Sequence, residues 1–165
     1  MTESISEKLA DAVAAAGAPP REVAEKLLVD VAGLCVAARN TDYVRAALAG
    51  WEASGGCTAI GHARALDSAG AAFVNGTAAH GEDFDDTFEA GLVHTGAVIV
   101  PAVLAACERF GCDGRAALIG IVAGIESHCR LSLVAPTGIH RAGFHPTSVT
   151  GAVASTLAVG NALGF

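Results

Sequence analysis

Aromatic side chains are scarce: six Phe, one Trp and one Tyr make up 5% of the 165 residues. A core must therefore come from Ala, Val, Leu and Ile, whose small side chains let helices approach closely. Strand-forming β-branched and aromatic residues are confined to short runs. The composition predicts an all-α protein, and the length is that of one domain with a sizeable core. Basic residues are also few. Ten Lys and Arg face 17 Asp and Glu, for a net charge of −7, which argues against a nucleic-acid binder with its basic stripe. The only lysines are Lys8 and Lys26. The five cysteines are odd in number and contain no CxxC pair. No secretory signal opens the sequence, so reduced, mostly buried thiols in a cytoplasmic protein are expected.

Long charged stretches are missing as well, and the mean hydropathy is +0.48. Residues 90–107 and 148–165 carry no Asp, Glu, Lys or Arg. Both stretches are rich in Gly, Ala, Ser and Thr and lack flanking aromatic belts or basic clusters, which fits buried helices better than membrane spans.

About seven helices are predicted in a multi-helix bundle with almost no sheet. Ser4 and Glu7 form a capping box for a helix over 4–16 with Ile5, Leu9 and Val13 on one face, and Gly17 stops it. Pro19 and Pro20 open a second helix to about Ala38, and Thr41 caps a third. "GGCTAIGHARALD" holds one short extended piece, after which Asp67 caps a helix to about Ala79. A helix over 95–110 is expected to kink at Pro101. Asp113 caps the next, to about Val134, and Pro146 starts the last, to Leu163. That final helix is uncharged on every side from Thr147 onward. A terminal helix normally shows water a polar face, so further polypeptide or another subunit is expected to cover it.

Charge collects in one place. "HGEDFDDTFEAGLVH", residues 80–94, holds Glu82, Asp83, Asp85, Asp86 and Glu89 with a histidine at each end and no cation. His94 and His145 each fall just before a predicted helix, where the positive end of the macrodipole disfavours imidazolium. A neutral imidazole there serves as a base or as a hydrogen-bonding electrophile. Two such helix ends facing each other would bind a carboxylate through free N–H groups, with Arg141 as a bidentate clamp and His140 beside it. His62, His80 and His128 read as structural. His80, Asp83, Asp85, Asp86 and His94 offer an oxygen-and-imidazole set, yet HExxH, EF-hand, Walker, dinucleotide and G-x-S-x-G patterns are all absent, and no metal ligand is assigned.

Three stretches, "AAFVNGTAAHGEDFDDTF" at 71–88, "HTGAVIVPAVLAACERFGCDGRAALIGIVAGIE" at 94–126 and "RAGFHPTSVTGAVASTLAVGNALGF" at 141–165, resemble the MmgE/PrpD family. That family includes 2-methylcitrate dehydratase, cis-aconitate decarboxylase and iminodisuccinate epimerase. The resemblance implies that residues 1–165 are the front part of a large helical domain. The rest of that domain, and a smaller α+β lid domain, would lie outside these residues. It aligns Asp83, His94 and His145 with active-site residues and places the family's catalytic lysines in later segments. "HTG" here replaces the family's "HPS", and the Asp83-to-His94 spacing is one residue longer than in the decarboxylase branch, so the segment is more similar to the epimerase branch.

The implied chemistry is proton removal next to a carboxylate on a small di- or tricarboxylic acid, without cofactor, in a homodimer. Polycarboxylate substrates would be repelled by five nearby carboxylates. Only Asp83 is therefore expected to face the pocket. Glu82 and Glu89 are expected in solvent, with Asp85 and Asp86 capping helix ends or pairing with arginine. The competing reading is a truncated, non-catalytic helical module for dimerisation or scaffolding. This chain alone is expected to be inactive.

Overall fold

The computed structural model describes residues 4–15 and 21–165. Its order is α1 (Ile5–Ala15), α2 (Arg21–Ala38), α3 (Asp42–Gly50), β1 (Ser54–Thr58), β2 (Ala65–Leu66), α4 (Ser68–His80), α5 (Gly96–Phe110), α6 (Gly114–Ser132), α7 (Gly138–Arg141) and α8 (Pro146–Leu163). The fold is all-α in character. Among the described residues there are eight helices rather than about seven, because the glycine-containing loop before Pro146 closes one helical turn, α7. The extended piece at 54–66 pairs as a small antiparallel β1–β2 ribbon. The roles expected of Gly17, Pro19 and Pro20, and of the Ile5 and Val13 side chains, lie outside the described residues.

Local signals in the sequence set most helix starts. Ser4 and Glu7 close a reciprocal box, Ser4 N–H to Glu7 Oε2 at 2.7 Å and Glu7 N–H to Ser4 Oγ at 3.2 Å. The Asp67 carboxylate accepts from Gly70 N–H at 2.9 Å and also from the Trp51 indole at 2.8 Å, so it caps α4 and ties α3 to it. Asp113 caps α6 through Ala116 N–H at 2.8 Å. Thr41 precedes α3 as expected, but its hydroxyl donates backwards to the Ala38 carbonyl and makes no cap bond. Helix α5 continues through Pro101. Proline has no N–H to offer the Ala97 carbonyl one turn back.

Helix α5 is the hub. Its Ile99, Val100 and Val103 are fully buried, and it packs on α2, α4, α6 and α8. The scarcity of aromatics is answered by close helix approach. A β-carbon on Gly124 of α6 would lie 2.6 Å from Ile99 Cγ2 and 2.7 Å from Ala158 Cβ; one on Gly120 would lie 2.7 Å from Ala162 Cβ. Residues 120 and 124 thus meet 162 and 158, so α6 and α8 run antiparallel along a seam of Gly and Ala. Buried Asn75 pins β1 to α4 by donating to Thr58 O and accepting from Ile60 N–H, both at 2.8 Å. All five cysteines are free thiols, with Cys35, Cys57 and Cys107 buried. Burial pushes Cys35 and Cys107 up to about 11. Among the described residues no helix is long and apolar enough to cross a membrane. Val149 and Val153 of α8, Ile119 of α6 and Phe165 are exposed.

Candidate functional site

The five carboxylates of 80–94 have separate fates. Asp86 reaches forward to the start of α5, accepting from Thr95 N–H at 3.0 Å, Thr95 Oγ1–H at 2.7 Å and Gly96 N–H at 2.7 Å. It is the helix-end carboxylate that was expected. Glu82 is exposed and accepts from the Tyr43 hydroxyl at 2.8 Å, and Glu89 is exposed. Asp83 stands on a left-handed backbone (φ 56°), a conformation Asp tolerates better than most residues. Its side chain is 80% exposed, with Oδ1 3.8 Å from His94 Nε2.

Asp85 corrects the expectation. It caps no helix and pairs with no arginine. Its carboxylate is wholly buried between two imidazoles, 3.0 and 3.2 Å from His80 Nδ1 and 3.3 Å from His94 Nδ1. Burial of an ionised carboxylate is costly unless its lone pairs are met, and here His80 Nδ1 hydrogen-bonds to it while His94 Nδ1 stands close by.

Helix α4 delivers His80 at its last turn, and the loop over 81–95 returns the chain to deliver His94. The loop is held by a Phe88–Val93 bridge. It is seated on α6 at Gly91, where any β-carbon would overlap the Ser132 side chain. The His94 amide donates to Thr147 Oγ1 at 3.1 Å, fastening the loop to α8. His145 is the residue before α8, and its Nδ1 accepts from Thr147 N–H at 3.2 Å. Its Nε2 lies 3.4 Å from His80 Nε2. The ring centroids are 4.8 Å apart for His80–His94, 5.4 Å for His80–His145 and 6.4 Å for His94–His145. Burial first, then the nearby His80 and His94, holds His145 below the usual imidazole pKa, against the opposing pull of Asp83 and Asp85. It is neutral at pH 7.

Beside the imidazoles runs an open groove of ≈ 570 Å³. Its walls are Phe73, Gly76 and Thr77 of α4, Ala97 and Val98 of α5, and Thr147 and Ser155 of α8, with His80 and His145 at its polar end. Three of the helix-end amides expected to cradle a carboxylate are already engaged. Thr95 N–H and Gly96 N–H belong to Asp86, and Thr147 N–H belongs to His145.

Asp83, His94 and His145 therefore gather at one place, and of the three His145 alone lines the groove; Asp83, expected to face it, does not. Arg141 and His140 do not join them. Both are exposed on α7, and neither lines the groove. His80, Asp83, Asp85 and His94 each place one donor atom within 4.8 Å of the others, so these four would hold a divalent cation if one bound. Sequence reasoning missed His80 and Asp85. A signal for His80 existed, since Phe73, Gly76, Thr77 and His80 follow i, i+3, i+4, i+7 and all line the groove. Nothing local separated Asp85 from its acidic neighbours. Behind the site, His128 of α6 is fully buried with neither ring nitrogen in hydrogen-bond geometry. Burial lowers its pKa, opposed by the Thr147 backbone and the Asp86 charge.

A helical domain carrying three imidazoles around one buried carboxylate, at the mouth of an apolar groove, has the parts of a proton-transfer site. The chain matches the MmgE/PrpD N-terminal domain over residues 6–165, and it belongs to that family. It is 29% identical over 154 residues to cis-aconitate decarboxylase of Aspergillus terreus. The protein of that name from Aspergillus terreus strain NIH 2624 / FGSC A1156 gives the same identity. The match covers 87% of this chain and 31% of each relative, so the chain spans about a third of their length.

Proposed function

We propose that this chain forms part of a cofactor-independent lyase or isomerase that removes a proton next to a carboxylate on a small di- or tricarboxylic acid. The observation that carries the reading is the gathering of Asp83, His94 and His145, with His94 Nε2 3.8 Å from Asp83 Oδ1 and His145 Nε2 3.4 Å from His80 Nε2. The cluster stands beside a groove large enough for a small molecule, which His80 and His145 line. Membership of a family with a relative named as a decarboxylase supports the reaction class. The groove lining contains no Lys or Arg. The cation that a polycarboxylate needs would come from Arg141 after movement of α7, or from later segments of the kind that hold the family's lysines.

Within this class the sequence of 80–94 favours epimerisation of iminodisuccinate over dehydration or decarboxylation, in a cytoplasmic homodimer. The test is proton exchange in D2O followed by NMR. The polypeptide of the full reading frame is incubated with iminodisuccinate, 2-methylcitrate and cis-aconitate, in parallel with residues 1–165. Exchange or turnover of one acid by the former, abolished by His94→Gln, is the expected result. Exchange that survives both His94→Gln and Asp83→Asn would remove the reading.

A further inference from the structure

The hydrogen bonds and charge contacts of the three imidazoles favour one set of protons. An ionised carboxylate only accepts. Asp85 is wholly buried and hydrogen-bonded to His80 Nδ1 at 3.0 and 3.2 Å, so that nitrogen carries hydrogen and His80 Nε2 is a lone pair. His94 Nδ1 lies 3.3 Å from Asp85 Oδ1 as a charge contact off the hydrogen-bond axis; a ring lone pair turned to that carboxylate would be repelled, which favours hydrogen on Nδ1 and a lone pair on Nε2. The Thr87 hydroxyl, 3.5 Å from His94 Nδ1, is that nitrogen's hydrogen-bond partner and accepts from it in this tautomer. His145 is the reverse. The Thr147 N–H points at its Nδ1 from 3.2 Å, so that atom is a lone pair and the neutral ring carries its hydrogen on Nε2. The Nε2–H of His145 then meets the lone pair of His80 Nε2 at 3.4 Å. No donor faces a donor anywhere in the chain Thr147–His145–His80–Asp85–His94. Only His94 Nε2 is left as a bare lone pair without a donor among the described residues.

We infer that Asp85 is a positioning residue that sorts His94 and His145 into different roles. It makes His94 Nε2 the base, and, through His80, it holds His145 as a neutral hydrogen-bond donor that cannot serve as a base at Nε2. The assignment rests on the proton-transfer reading above. In the step itself the C–H bond next to the substrate carboxylate breaks, and its electron pair delocalises onto that carboxylate. The proton forms the Nε2–H bond of His94, whose imidazolium is stabilised by ionised Asp85 at Nδ1. His145 offers Nε2–H to the developing oxyanion, and its long bond to His80 is weak enough to be exchanged for a substrate oxygen. A base on one face only means that an epimerase would draw its second proton donor from outside this cluster.

The experiment begins with tautomers, which can be read without turnover. Long-range 1H–15N correlation on 15N-histidine-labelled chain at pH about 8, above the imidazole range, is expected to show Nδ1–H for His80 and His94 and Nε2–H for His145. In Asp85→Asn one amide oxygen replaces two acceptors, and at least one of His80 and His94 changes tautomer. In the full-length enzyme that variant is expected to lose about 10³–10⁴-fold in kcat with KM little changed, the scale of a mis-set tautomer in a His–Asp pair. Asp85→Glu restores part of the rate. Nε2–H on His94 in the unaltered chain overturns the inference whatever the activity, and needs no variant to fold. The expected tautomers in a full-length protein that exchanges no proton on any acid would instead overturn the proton-transfer reading and the roles built on it.

Discussion

Replacing Asp86 by Ala removes three hydrogen bonds at once, from Thr95 N–H, Thr95 Oγ1–H and Gly96 N–H. The two amides begin α5, where no carbonyl one turn back exists to receive them. Thr95 is buried, so water does not readily take the place of the carboxylate. A lost helix cap costs about 1–2 kcal/mol, and a hydrogen bond to a charged group contributes about 1.5–3 kcal/mol. Bonds sharing one carboxylate are not additive, and the expected loss is about 3–4 kcal/mol. Against a typical total of about 5–15 kcal/mol this is a large share. In a domain of this size it lowers Tm by roughly 6–15 °C. Urea unfolding monitored by circular dichroism should show a lower midpoint with an unchanged slope. Asp86→Asn, which keeps one acceptor oxygen, should fall about halfway between. A loss under about 1 kcal/mol for Asp86→Ala would refute the claim that this carboxylate holds the start of α5, and with it the division of labour among the acidic residues.

His128 and His145 both have lowered pKa values in the fold. The unfolded chain therefore binds protons first, and stability present above the unfolded imidazole value of about 6.5 is lost as pH falls through it toward the folded values. Each contributes at most about 1.4 kcal/mol per pH unit in that window; urea midpoints in the His128→Phe variant should vary less steeply with pH between about 6.5 and 5. Gly124→Val introduces branches where even a β-carbon is 2.6 Å from Ile99, and a cost of about 1–3 kcal/mol is expected in the same unfolding assay. Asp67→Ala removes both the α4 cap and the partner of the Trp51 indole, for about 1–2 kcal/mol and a changed tryptophan emission. Chelation with EDTA is expected to leave proton exchange by the full-length enzyme unchanged. Loss of exchange that Zn2+ restores would instead make His80, Asp83, Asp85 and His94 metal ligands.

Helix positions were legible because their signals are local: the Ser4–Glu7 box, Asp67, Asp113 and Pro146 each act within one turn. His94 and His145 were legible as facing helix ends, and Asp83 joined them only through family resemblance. Their neighbour His80 was read as structural, and Asp85 was assigned to a cap. Which of five adjacent carboxylates is buried depends on where α4 ends and how the loop lies on Ser132, and both are tertiary facts. Three of the helix-end amides expected to face a ligand are taken for a related reason. A free N–H attracts whichever acceptor is nearest, and the chain supplies its own in Asp86 and His145.

The Gly–Ala seam between α6 and α8 turns the last helix into a lever. His145 sits at one end of α8 and Ala162, facing Gly120, near the other; at 1.5 Å per residue they are about 25 Å apart. A methyl wedge at Gly120 pivots that arm, and a tilt of a few degrees swings the imidazole by about an ångström. Substitutions at this remote spot should therefore detune proton transfer before they unfold anything.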